Sequence, residues 1–157
     1  MPHLPLKKRV SDACEEKPHI SAISSIEYDV HSSNLRLFSK LIKKAQAVKM
    51  PFLPGVSTPS EVLVANNLGL TTLKFFPAEA MGGADAPKLY AGALADTVFI
   101  PTGGITMDNL GKYLSQKNVV ACAGSFMAPK NAVSGGDVDT IVKNIMKCIS
   151  IYKESRG

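Results

Sequence analysis

Four times downstream of Met50, a short apolar run stops at a turn marked by glycine or proline and gives way to a stretch of helical period. No other feature narrows the possible folds as much. The first run is Pro51–Val56, PFLPGV, which closes on Pro54–Gly55. Thr58–Pro59–Ser60–Glu61 follows, with Thr as a helix N-cap, Pro at the first helical position and Glu spaced to complete a capping box. The helix is expected to run to about Leu68, where Gly69 can stop it. The second run is Leu73–Phe76; beyond Met81–Gly82–Gly83, a short helix is expected around Asp85–Ala91. The third, Thr97–Pro101, leads through Thr102–Gly103–Gly104 to a helix from about Met107. That helix has Thr106 as its cap and Leu110, Tyr113 and Leu114 as its apolar stripe. The fourth, Asn118–Ala123, leads through Gly124–Ser125 to a last helix from about Asp137, with Ile141, Ile145, Cys148 and Tyr152 at spacings of four, three and four.

Strand, turn and helix in repetition put successive strands parallel, joined by right-handed helical crossovers. The fold class is therefore α/β, and 157 residues are few for eight such units. The pattern predicts a TIM-barrel-derived partial barrel of about four βα units. Upstream, Leu37, Phe38, Leu41, Ile42, Ala45 and Val48 line one helical face, with Lys40, Lys43, Lys44 and Lys49 largely elsewhere and Pro51 barring continuation. Residues 1–34 form an atypical N-terminal segment with one poorly alternating strand candidate at Ile20–Ile26, and 35–157 form the barrel-like part.

A net charge of +5 and a pI near 9.1 suit a protein that handles anionic metabolites. Basic residues are not interleaved with aromatics, so nucleic acid is not an expected partner. No apolar run approaches membrane-spanning length, and the proline-broken N-terminus lacks the apolar centre of a signal peptide. Cys14, Cys122 and Cys148 form no CxxC pair, so free thiols in the cytoplasm are expected. His3, His19 and His31 lack the close spacing of a metal site and read as surface residues, so no metal is expected. No cofactor is called for.

The run Leu73–Phe76 has a lysine in its middle. Alternation puts Thr72, Lys74 and Phe76 on one face and Leu73 and Phe75 on the other. If both faces are covered, confinement disfavours the ammonium and releases a nucleophilic amine for Schiff-base chemistry on a carbonyl. A lysine on a strand edge that snorkels to water satisfies the same pattern. In βα barrels, reacting groups lie at the C-terminal ends of strands, and phosphate is held there by backbone N–H groups after the last strands. Thr102–Gly103–Gly104 and Gly124–Ser125 occupy such places.

The stretches PFLPGVSTPSE (51–61), LKFFPAEAMGG (73–83), IPTGGIT (100–106) and AGSFMAP (123–129), in this order, resemble the 2-keto-3-deoxy-6-phosphogluconate (KDPG) and 4-hydroxy-2-oxoglutarate (KHG) aldolases. The resemblance covers roughly Phe52 to the C-terminus, with a looser match before it. It implies a (βα)8 barrel, usually trimeric, performing metal-free Schiff-base aldol cleavage of a 2-keto acid or phosphosugar to pyruvate and an aldehyde. On that resemblance Lys74 forms the imine and Phe76 packs on the pyruvyl part. Thr102, Gly103, Gly104, Gly124 and Ser125 meet the phosphate or polar tail, and Pro54 and Gly55 shape the rim. The family's Glu-x-Thr-x-Arg segment, with its general base, and its Gly-x-Gly-Thr turn occur nowhere in residues 1–50. Glu27 lacks that context. Glu79 is a candidate substitute base, or fixes the loop after the strand; Ala123 stands where the family more often has glycine. A half-barrel of this kind exposes sheet edges that a second copy can cover.

Overall fold

The computed structural model describes residues 35–92 and 94–156. The strand candidate at Ile20–Ile26, Glu27, Cys14 and the three histidines lie outside them. The chain forms two compact units, Met1–Phe52 and Leu53–Gly157, so the division falls inside the span 35–157 that the sequence reads as one piece.

In the first unit, α1 (Leu35–Ala47) buries Leu41, Ile42 and Ala45 and leaves Lys40, Lys43 and Lys44 exposed, as helical periodicity requires. The chain leaves the helix through Lys49, whose φ of 53° is left-handed.

The second unit holds β1 (Gly55–Val56), α2 (Pro59–Asn67), β2 (Thr72–Phe75), α3 (Asp85–Ala91), β3 (Val98–Pro101), α4 (Leu110–Leu114), α5 (Lys130–Gly135) and α6 (Val138–Arg156). The strands form one parallel sheet in the order β1-β2-β3. Local chemistry sets α2: the Thr58 hydroxyl accepts from the Glu61 N–H at 3.4 Å, and the Glu61 carboxylate accepts from the Thr58 N–H at 2.9 Å. Gly69, at φ 79°, carries the chain out. Helix α3 occupies the expected span.

Among the described residues the sheet has one fully buried and one partly buried face. Val56, Leu73, Phe75, Phe99 and Pro101 share the first, and all are buried. Tyr90 of α3 packs edge-on against Phe75, with ring centroids 6.0 Å apart and planes at 89°, and lies 5.9 Å from Phe99. Phe75 and Phe99 complete the aromatic triangle at 6.0 Å. Gly55, Lys74, Ile100 and Thr102 share the other face, where none is fully buried.

Two expected elements change. Asn118–Ala123 forms no continuous fourth strand. It touches β3 through isolated parallel bridges, Phe99 to Val119 and Thr102 to Ala123. The second bridge is displaced by one residue relative to the first, so an extra residue interrupts the ladder as in a bulge. Helix α4 begins at Leu110, and Thr106 is not its cap. Instead the Asn109 side chain accepts from the Thr106 N–H at 2.7 Å and donates to the Gly104 carbonyl at 3.1 Å, closing a turn ahead of the helix. Leu110, Tyr113 and Leu114 are buried as the stripe predicts.

Candidate active site

Lys74 sits in the central strand, opposite Gly55 of β1 and Ile100 of β3, and its N–H donates to the Pro54 carbonyl at 2.9 Å. Pro54 and Gly55 are thereby fixed beside it. The lysine is half-buried on the partly buried face, so the described residues do not enclose it fully as the apolar run predicts. Its Nζ lies 5.0 Å from the centroid of the Phe76 ring, within cation–π reach. Phe76 follows the strand, is joined to Pro77 by a cis peptide bond, and accepts from the Ser57 hydroxyl at 2.6 Å. The STPSE signature read only as a helix start, and Ser57 was visible in it as no more than the residue before the cap.

The turn after β2 is pinned to the turn after β3. Ala78 N–H donates to the Thr102 carbonyl at 2.8 Å and Glu79 N–H to the Gly103 carbonyl at 3.1 Å. Gly103 and Gly104 adopt φ of 98° and 77°. A Cβ on Gly104 would stand 2.5 Å from Glu79 Cγ, and one on Gly103 would stand 3.1 Å from the Phe76 ring. Two glycines let this corner close on its neighbour. Their N–H groups donate none of the hydrogen bonds among the described residues. Thr102 Oγ1 is likewise buried and unpartnered there.

The bridge from Thr102 to Ala123 sets Gly124–Ser125 alongside the Gly103–Gly104 corner. Ser125 is exposed, its carbonyl accepts from Ala128, and the Gly124 and Ser125 N–H groups donate no bond within the described residues. Next to them Cys122 is largely enclosed. Burial pushes its thiol up to about 12, against the pull of the Arg156 guanidinium. An ordinary thiol titrates near ~8.5, so Cys122 is not poised as a nucleophile.

Glu79 Oε1 accepts from the Tyr113 hydroxyl at 2.5 Å. Tyr113 is fully buried, and burial together with this carboxylate pushes its phenol well above the ordinary range. The bond joins residues 34 positions apart, and Tyr113 read from the sequence only as part of a core stripe. It engages one oxygen of the candidate substitute base and fits the loop-fixing alternative. Among the described residues no three His, Cys, Asp or Glu side chains group as a metal site. No helix there is long and apolar enough to cross a membrane.

Lys74 thus lies between Pro54–Gly55 and Ile100, Phe76 and Thr102–Gly104 follow the C-terminal ends of β2 and β3, and Gly124–Ser125 follow the bridge to Thr102. Residues 35–144 match the family described as KDPG and KHG aldolase. The chain belongs to that family. The KHG/KDPG aldolase of Escherichia coli (strain K12) is 42% identical over 107 residues, 68% of this chain and 50% of the relative. The 2-dehydro-3-deoxy-phosphogluconate aldolase of Haemophilus influenzae is 37% identical over 114 residues, 73% of this chain and 54% of the relative. Among solved structures, KDPG aldolase from Legionella pneumophila, with pyruvate captured as a covalent carbinolamine intermediate, superposes with a TM-score of 0.65. It shares 32% identity across 71% of this chain and 52% of that one. KDPG aldolase of Zymomonas mobilis ZM4 with 3-phosphoglycerate gives a TM-score of 0.64 and 37% identity, across 70% of this chain and 51% of that one. The chain spans about half the length of the curated aldolases it matches.

Proposed function

We propose that this aldolase-family chain is a partial (βα)8 barrel that captures 2-keto acids on Lys74, the amine of a metal-independent Schiff-base lyase site. The observation that carries the reading is the placing of one strand lysine on the same sheet face as Phe76 and Thr102. Two glycine corners with undonated N–H groups stand beside it. Lys74 adds to the C2 carbonyl of KDPG or KHG, and the carbinolamine loses water to give a protonated imine. That imine accepts the electron pair of the C3–C4 bond while the C4 hydroxyl yields its proton to a base. Glyceraldehyde 3-phosphate or glyoxylate departs. The enamine takes a proton at C3, and hydrolysis returns pyruvate and the free amine. The carbinolamine of the Legionella pneumophila relative is the first step of this sequence. Phosphate or the distal carboxylate of the substrate takes the Gly103–Gly104 and Gly124–Ser125 N–H groups, with the Thr102 hydroxyl completing its hydrogen bonding.

A second reading has its own observation. Glu79 is tied to Tyr113, and residues 1–50 contain no Glu-x-Thr-x-Arg segment, so the base for bond cleavage is the weakest part of the site. On this reading the chain is a catalytically impaired phosphosugar-binding member of the family. Borohydride reduction in the presence of pyruvate separates the two. The lyase reading expects one reductively linked pyruvate per chain, lost in Lys74→Ala, and aldehyde released from KDPG. The binding reading expects KDPG to protect the fold against thermal unfolding in wild type and Lys74→Ala alike, with no aldehyde. Absence of any pyruvate adduct in the wild type defeats the first.

A further inference from the structure

We propose, on the reading of Gly103–Gly104 as the seat of the substrate's phosphate or distal carboxylate, that Asn109 is a positioning residue for that corner and gives it a third backbone donor, the Ile105 N–H. A turn is ordinarily steadied by its own side chains, and here none is available. A Cβ on Gly103 would meet the Phe76 ring at 3.1 Å, and one on Gly104 would meet Glu79 Cγ at 2.5 Å. Hydrogen bonds to the backbone have to fix the corner instead, and they take each of its carbonyls in turn. Ala78 N–H donates to the Thr102 carbonyl at 2.8 Å and Glu79 N–H to the Gly103 carbonyl at 3.1 Å. Asn109 Nδ2 donates to the Gly104 carbonyl at 3.1 Å.

In a planar trans peptide, the C=O of one residue and the N–H of the next point in opposite directions. Pinning the three carbonyls therefore turns the N–H groups of Gly103, Gly104 and Ile105 away from the groups that hold them. None of the three donates a hydrogen bond among the described residues. The first two peptides are held by main chain from the turn after β2, which any residue except proline supplies. The Gly104–Ile105 peptide is held by a single side chain. That side chain accepts from the Thr106 N–H at 2.7 Å while it donates to Gly104. A carboxamide does both at once, whereas a carboxylate has no proton to donate and a serine hydroxyl is too short to span the two. Thr102 Oγ1, a buried hydroxyl oxygen that no described group satisfies, belongs to the residue that opens this corner and independently argues for a polar ligand there.

The test uses one probe for each end of the site: 3-phosphoglycerate, with a phosphate and no keto group, and pyruvate, with a keto group and no phosphate. Melts of the full chain titrated with 3-phosphoglycerate read the corner, and borohydride-trapped pyruvate reads Lys74. Asn109→Asp keeps the acceptor for the Thr106 N–H and loses the donor. Asn109→Ala loses both without adding charge, and Asn109→Ser replaces it should that chain not fold. Both variants should need about fivefold more 3-phosphoglycerate for the same rise in melting temperature. The pyruvate concentration for half-maximal trapping should stay as in the wild type. An unchanged 3-phosphoglycerate requirement overturns the proposal, and so does a wild type that this probe fails to protect. An equal rise for pyruvate also overturns it, since a general loosening of the fold produces that result. Weakening in Asn109→Asp alone assigns the effect to charge and overturns it too. A wild type that traps no pyruvate, with 3-phosphoglycerate weakened in both variants as expected, defeats the lyase reading and leaves Asn109 in this role.

Discussion

The two faces of the small parallel sheet are built from alternate residues of the same strands, yet they obey opposite rules. Leu73 and Phe75 are wholly buried, whereas Thr72 is exposed, Lys74 is half-buried and Phe76 is 39% exposed. The covered face satisfies packing: Phe75, Phe99 and Tyr90 meet in an aromatic triangle, and burial of this kind contributes most of what holds such a unit together. The other face carries a half-buried amine, the Thr102 hydroxyl, which is buried without a partner, and two glycine corners whose N–H groups donate no bond among the described residues. Period-two alternation thus lets a strand of four residues serve stability on one side and chemistry on the other. Mutations that stay on one face should therefore move one property and spare the other.

The largest separation is expected between two adjacent phenylalanines. Phe75→Ala should cost about 3–5 kcal/mol, because the cavity lies inside the aromatic triangle. Phe76→Ala should cost about 1 kcal/mol or less, because much of that ring is already in water. Denaturant melts of the two variants check the contrast; equal losses would mean that the faces are not independent. Next comes the corner where the faces meet. Gly104→Ala places a methyl 2.5 Å from Glu79 Cγ at a φ of 77°, so overpacking and left-handed strain act together. A loss of about 2–4 kcal/mol is expected from the same melts, with loss of phosphosugar protection.

That corner also marks how far the sequence could be read. Thr58, Pro59 and Glu61 announce α2 within four residues, and α3 falls on Asp85–Ala91, because caps, proline and period are local signals. Family membership was legible for a similar reason: the lysine strand and the PTGG turn are short contiguous motifs. What failed depended on partners that the local pattern did not single out, most of them distant in the chain. Asn118–Ala123 has strand composition, but a one-residue slip against β3 breaks its ladder. Thr106 resembles a cap until Asn109 takes its N–H. Glu79 reads as a candidate base but more readily as a tether for its loop, and the tether's partner, Tyr113, lies 34 positions away. Coverage of the lysine face is likewise set by neighbours that no single strand encodes.

The Glu79–Tyr113 tie predicts a smaller effect with a pH signature. Tyr113→Phe removes a hydrogen bond to a carboxylate whose other oxygen can turn to water, so about 1–2 kcal/mol should be lost near neutral pH. Tyr113 and Cys122 both hold their protons in the fold beyond the values of the unfolded chain. Their contribution is complete below about pH 8.5 and declines as the unfolded thiol and then the phenol, near ~10, begin to ionise. Stability should therefore fall with rising pH from about 8.5 upward. Tyr113→Phe should flatten the part above about 10 and leave the lower part in place. Urea midpoints taken from pH 7 to 11 read both.

The sharpest test of the comparison is the substitution expected to change stability least. Lys74 makes its backbone bond to Pro54 through an N–H that any residue except proline supplies, and its side chain reaches only the half-exposed face and the Phe76 ring. Replacing it by alanine forfeits a partly hydrated cation–π contact of about 0.5–1 kcal/mol and relieves a charge at the mouth of the sheet. The net change in melting should fall within about 0.5 kcal/mol of zero. The same variant should lose the borohydride-trapped pyruvate completely, since no other described lysine stands on this face of the strands. A Lys74→Ala chain that melts like the wild type yet still traps pyruvate would move the chemistry off that face. One that fails to fold would show that the lysine belongs to the packing after all.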